Sequence, residues 1–210
     1  MGSVTTADRP EVHETHSGLV VLVGDRAYKT KRPVRTEFLD FSTAELRERA
    51  CAREVELNTR LAPAAYLGVA HLVGPGPDER EPVVVMRRYP DSARLSERLS
   101  EPTIDDELLS IADILARFHA TARRAPEIDA AAAPAVLAGL WRESLDDMRR
   151  FAGWVLAEEE LDAIAALSAR FLAGCADVFT GRVAEHRIVD GHGDLLADDI
   201  FWSGDGPMLL

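Results

Sequence analysis

The hydrophobic period of this chain changes at Pro90, and that change constrains the fold more than any other feature. Before it, apolar residues come in short β-branched runs broken by glycine and proline. After it, they recur at three- and four-residue steps over long stretches. Strands with one helix, followed by a succession of helices, predict an α+β chain rather than alternating βαβ layers. The expectation is a small β-rich lobe with one helix over 1–90 and a mostly helical lobe over 91–210, with a ligand cleft between them.

Within the first part, "LVVLV" (19–23), then Gly24-Asp25, then "RAYKTK" (26–31) reads as a hairpin closed by a Gly-X turn. The segment "STAELRERACAREVELNTRLAP" predicts a helix over 42–61. A Ser42–Glu45 capping box opens it, and Pro63 follows its end. Two more strands are expected, around Val73 and over 83–86. In the second part, Leu108, Ile111, Leu115, Phe118 and Ala122 form one amphipathic stripe. Leu161, Ile164, Phe171, Cys175 and Val178 form another. The Ala-rich "EIDAAAAPAVLAG" between them reads as loop or weak helix. The last segment returns to short strands, with "IFW" and "PMLL" flanking the turn "SGDG".

Composition narrows the function classes. A chain that is 47% hydrophobic and 29% charged is globular rather than disordered. A formal charge of −12 repels phosphate at long range, which argues against nucleic acid or an anionic membrane as unaided partners. A phosphate-using site would need its own cluster of Lys or Arg. Cys51 and Cys175 lie far apart in helical patterns and read as core thiols. With no apolar leader and no run near the ~20 residues of a membrane span, the reading is a cytoplasmic protein.

The candidate chemistry begins on the predicted helix. Leu46, Ala50, Leu57 and Leu61 make its apolar stripe, and Glu54 falls on the same face while Glu56 turns to solvent. A carboxylate on an inward face needs a cationic partner. Ala27, Lys29 and Lys31 share one face of the second hairpin strand and supply candidates. Far downstream, "GHGDLLADD" crowds His192, Asp194, Asp198 and Asp199 around Gly193. Taken singly, each has an ordinary reading: Lys29 a solvated strand lysine, "ADD" a turn, His119 a packed or surface histidine. A rival sharp reading makes His186, Asp190, His192, Asp194 and Asp198 ligands of a hydrolytic metal site, although no other segment offers convergent ligands.

A strand Lys, a helix Glu and a later H-x-D-L-x-x-x-[N/D] loop, in that order, match the protein-kinase template. The stretches "VHETHSGLVVLVGDRAYKTKRP", "FLDFST", "REVELNTRLAPAAYLGV" and "DGHGDL" resemble the aminoglycoside phosphotransferase-like domain. More narrowly, they are similar to bacterial proteins in which that domain precedes a P-loop ATP-binding domain. The resemblance runs from about residue 10 to the last residue. It implies a two-lobed protein-kinase-like fold with a partial helical C-lobe. It also implies ATP and Mg²⁺ as cofactors, a nucleotide and a small hydroxyl-bearing molecule as ligands, and a fused P-loop ATPase domain as partner.

The resemblance also implies roles. Lys29 would hold the α- and β-phosphates of ATP and pair with Glu54. Asp194 would orient the acceptor hydroxyl and take its proton, and His192 would brace the loop. Asp199 stands where related folds carry a metal-binding Asn, with Asp198 as the alternative. The turn 15–18, through Ser17 and Gly18, would cover the phosphates, and Val85, Met86 and Arg87 would form the adenine-contacting hinge. A second metal-binding Asp is expected just past Leu210, with Asp205 too early to replace it. The 210 residues are therefore expected to be an incomplete, poorly active portion of a phosphotransferase. The competing class is a pseudokinase-like nucleotide sensor regulating a fused ATPase.

Overall fold

The hairpin anticipated at Gly24-Asp25 lies inside a five-stranded antiparallel sheet in the computed structural model, which describes residues 10–36, 39–76, 80–204 and 206–210. The strands are β1 (Glu11–Glu14), β2 (Gly18–Val23), β3 (Arg26–Lys31), β4 (Tyr66–Val73) and β5 (Arg80–Arg87), in the order β1-β2-β3-β5-β4. Val23 pairs with Arg26, and Gly24 takes the left-handed φ of 56° that the tight turn requires. Gly18 is needed for a different reason: a Cβ there would stand 2.8 Å from the Thr30 carbonyl oxygen. β1 was not anticipated, because all four of its residues are exposed and nothing alternates.

Register places Ala27 opposite Met86 and Lys29 opposite Val84. Ala27, Val84 and Met86 pack with Cys51, Ala62, Ala65 and Tyr66 to make the core under the sheet. Cys51 comes from α1 (Ala44–Asn58), which covers that core. The helix starts later than the capping-box reading. Thr43, not Ser42, is the cap, and its hydroxyl accepts the Leu46 N–H at 3.3 Å. The Ser42 hydroxyl is engaged with Asp40 instead. The inward ridge is also one position off the apolar stripe, with Arg47 and Cys51 buried where Leu46 and Ala50 were expected. Glu54 keeps its inward place, because it lies three residues beyond Cys51.

The chain divides into two compact units. The first comprises Met1–Ile114 and His192–Leu210, a grouping different from a division at residue 90. Besides the sheet and α1 it holds the start of α2 (Ile104–Thr121) and the hairpin of β6 (Ile200–Ser203) and β7 (Gly206–Leu209). This hairpin is where "IFW" and "PMLL" placed it, while Asp205 lies outside the described residues. At the start of α2, Glu107 is buried. Arg98 grips its carboxylate through Nε at 2.9 Å and through a second nitrogen, and the Thr103 hydroxyl donates at 2.7 Å. The Arg98 hydrogen bonds hold the Glu107 carboxyl below its ordinary range, against the opposing effect of desolvation.

The second unit, Leu115–Gly191, is helical: the remainder of α2, α3 (Pro126–Ala131), α4 (Pro134–Arg149), α5 (Glu158–Gly174) and α6 (Ala176–Ala184). The "loop or weak helix" is thus corrected to two helices, each with proline in its first turn, where the missing N–H costs nothing. The second expected stripe breaks at Cys175 into α5 and α6, bent by 52°. Its core residues are Leu161 and Leu172, whereas Phe171 and Val178 are exposed. Among the described residues no single helix is long and apolar enough to cross a membrane. The fold is mixed α+β.

Candidate functional site

The first unit contains a cleft of about 620 Å³. Its apolar wall comes from the sheet: Val20 and Leu22 of β2, Ala27 of β3 and Met86 of β5. Also lining it are Tyr89 and Phe201, whose rings stack at 5.4 Å and 28°, and Arg94, whose guanidinium lies 4.6 Å from the Phe201 centroid. Leu210 also lines the cleft and packs on the core.

Lys29 extends into this space from β3, and its ammonium lies 2.8 Å from Glu54 Oε1. Lys31, two residues on and on the same face of the strand, binds the other oxygen, Oε2. Both candidate lysines therefore partner Glu54, and the carboxylate is bracketed by two cations. Desolvation pushes the Glu54 pKa up, but the charges of Lys29 and Lys31 outweigh it, and the net direction is down. Glu54 is ionised in this setting, as a buried carboxylate with two ammonium partners should be.

The loop after residue 191 supplies the acids. Gly193 adopts φ 89°, a left-handed value that a β-carbon would strain. Around it, His192 makes two bonds that determine its tautomer. The Asp194 backbone N–H donates to Nδ1 at 3.3 Å, so Nε2 carries the hydrogen and donates to the Leu210 oxygen at 3.3 Å. His192 thus ties the loop to the end of β7. His192, Asp194 and Asp199 all line the same cleft as Lys29. Asp199 is half-buried: its Oδ2 accepts the Leu196 N–H at 3.3 Å, and its carbonyl accepts the Leu210 N–H at 2.8 Å. Asp198 is used differently. Its carboxylate takes the Ser96 hydroxyl and its carbonyl takes Arg94, and its side chain is not among those lining the cleft.

Other expected positions fall elsewhere. Ser17 and Gly18 do not line the cleft; His13 of β1 and Thr15 at the start of the turn do. The Thr15 N–H and hydroxyl both donate to the Gly18 carbonyl, at 2.9 and 3.1 Å, which closes the turn on itself. Met86 and Arg87 line the cleft but Val85 does not. Arg88 and Tyr89 extend the lining two residues beyond the expected hinge.

Sequence reasoning missed Tyr66, Asn58, Tyr89 and Arg94. Tyr66 lies at the start of β4, and its hydroxyl accepts the Asn58 amide N–H at 3.0 Å. Burial, and then the Glu54 carboxylate, push its phenol pKa well up, so it remains protonated. Tyr89 had a signal, since an aromatic lies two residues beyond the expected hinge. Arg94 had none. As for metals, Asp199 and Asp194 offer carboxylate oxygens of the hard type that suits Mg²⁺. Among the described residues no three His, Cys, Asp or Glu side chains converge on one point.

Fold and cleft together define a mixed α+β protein with a cationic strand, an ion-paired helix and an acidic loop around one cavity. No family model matches the chain. Uncharacterized proteins of Mycobacterium tuberculosis and Mycobacterium bovis are each 48% identical to it over 201 residues, which is 95% of this chain and 40% of theirs. The chain spans less than half the length of the curated relatives it matches.

Proposed function

We propose that this chain carries the nucleotide cleft and catalytic loop of a kinase-type phosphotransferase. In this reading it resembles the aminoglycoside phosphotransferases and has the two-lobed arrangement of that class. The observation that carries the reading is one juxtaposition: Lys29, ion-paired to Glu54, opens onto the same cleft as Asp194 and Asp199. Three separate segments, β3, α1 and the loop after residue 191, are needed to build that set, and neither an acidic surface turn nor a solvated strand lysine accounts for it.

The roles follow from chemistry at named atoms. The apolar wall of Val20, Leu22, Ala27 and Met86, with the Tyr89–Phe201 stack lining the same cleft, suits a planar base. The Lys29 ammonium is a flexible point charge suited to the α- and β-phosphates of ATP. Asp194 takes the proton of an acceptor hydroxyl as that oxygen bonds to the γ-phosphorus and the bond from phosphorus to the ADP oxygen breaks. His192 holds the Asp194 backbone in place through Nδ1. Mg²⁺, when bound, supplies charge neutralisation between the phosphates. Asp199 is the residue to hold it, since Asp198 is committed to Ser96 and Arg94.

For these 210 residues the proposal is binding of ATP with Mg²⁺. Transfer to a small hydroxyl-bearing molecule is proposed for a protein of the relatives' full length. Calorimetric titration of the chain with ATP and Mg²⁺ tests the first part. Binding that is lost in Lys29→Met supports the reading, and no binding by the wild type overturns it. Transfer in the longer protein that disappears with Asp194→Ala supports the second part. Binding without transfer at full length leaves a nucleotide sensor in place of an enzyme.

A further inference from the structure

Glu54 holds two lysines where one would suffice to fix a cleft cation. The two are not equivalent. Lys29 lines the cleft and its side chain is 39% exposed. Lys31 does not line the cleft, its side chain is 13% exposed, and its ammonium lies 5.7 Å from the centre of the Phe41 ring. Each takes a different oxygen of the carboxylate. Two ammoniums against one carboxylate leave a single net positive charge in an otherwise acidic chain.

We propose that Lys31 is a positioning residue for Lys29, holding Glu54 paired by itself so that Lys29 is free to engage the phosphates of the ligand. This rests on the nucleotide reading above and deepens it. The physical reason is the burial of Glu54. If Lys29 were its only cation, movement of that ammonium toward a phosphate would strip a buried carboxylate of its partner, which is strongly unfavourable. With Lys31 fixed on Oε2 behind the cleft, Glu54 stays paired whichever way Lys29 turns. Lys31 also ties α1 to β3 independently of ligand, so the site is assembled before a nucleotide arrives.

The test is a calorimetric titration of the chain with ATP and Mg²⁺, comparing wild type with Lys29→Met, Lys31→Met, Lys31→Arg, Glu54→Gln and the Glu54→Gln/Lys31→Met double variant. The expected Kd rises about tenfold in Lys31→Met, the scale of one charged hydrogen bond. It returns to within about threefold of wild type in Lys31→Arg, which keeps the cation. In the Glu54→Gln background, Lys31→Met has no further effect, because its influence runs through Glu54. Wild-type affinity in Lys31→Met, with binding lost in Lys29→Met, overturns the role of Lys31 and leaves the nucleotide reading standing. Failure of the wild type to bind overturns both. A second readout uses the folded wild type alone, with Lys31→Arg as the assignment reference. In side-chain ammonium NMR spectra, ATP with Mg²⁺ should move the Lys29 signal and leave that of Lys31 in place. Equal movement of both makes Lys31 a phosphate ligand and overturns the proposal, even if Lys31→Met does not fold.

Discussion

The guanidinium of Arg47 closes a two-pronged ion pair on the Glu81 carboxylate, Nε to Oε1 at 2.5 Å and a terminal nitrogen to Oε2 at 2.6 Å. Its third donor reaches the Phe41 carbonyl at 2.8 Å. Arg47 is buried on α1 and Glu81 lies on β5, so the pair ties helix to sheet next to the core. Removing the arginine leaves Glu81 and the Phe41 carbonyl without these donors. Arg47→Met should therefore destabilise the chain by about 2–3 kcal/mol, below the full figure for a buried pair because Glu81 is partly solvated. Urea unfolding measures this directly, and an unchanged midpoint would show that the pair contributes nothing net.

The acid limb of stability carries a signature of Glu54. Its folded pKa is lowered, so it binds protons more weakly than in the unfolded chain. The stabilisation it contributes is present above the ordinary carboxylate range and is lost as pH falls through the lowered folded value. Denaturation midpoints measured from pH 7 down to pH 3 should fall more steeply in the wild type than in Glu54→Gln. Parallel curves would mean that the two lysines do not hold this carboxylate in solution.

His186 occupies a left-handed conformation with φ 51° just past the end of α6. The N–H of Arg187 reaches back to the Arg182 carbonyl at 2.9 Å and that of His186 to Val183 at 3.0 Å, the bonding of a Schellman cap. Glycine is the usual residue there. Histidine is held by its Nδ1 bond to Asp129 at 2.9 Å. His186→Ala loses that bond and keeps the backbone strain, whereas His186→Gly loses the bond and relieves it. The alanine variant should be less stable than the glycine variant by about 1 kcal/mol. Equal melting temperatures would remove the strain argument.

The two thiols should differ sharply in reactivity. Cys51 is fully buried in the core, and desolvation pushes its pKa up, while Cys175 is partly exposed. Iodoacetamide at pH 8 should modify Cys175 in the native chain and reach Cys51 only on unfolding, as read by mass spectrometry of digested peptides. Modification of both at equal rates would mean that α1 opens readily from the sheet.

Much of the site could be read from residue order because its parts obey local rules. The period of two put Lys29 and Lys31 on one face, the helical period turned Glu54 inward, and the spacing of "GHGDLLADD" held His192, Asp194 and Asp199 in one loop. Where local rules were silent, the reading failed. β1 has no apolar alternation and forms because β2 offers it a pairing edge. The ridge of α1 was misplaced by one residue because Arg47 counted as polar, although Glu81 lets it be buried.

The sequence by itself determined the α+β class, the hairpin at Gly24-Asp25 and the identity of the charged residues available for a site. These depend on periodicity, turn chemistry and residue type, which act over a few neighbours. Only the tertiary structure decided which charges meet and which carboxylate is spent on structure. Ser96 and Arg94, some hundred residues before Asp198, engage it and leave Asp199 facing the cleft. Two adjacent aspartates are chemically identical in sequence. Their roles separate only when distant donors reach one of them and not the other.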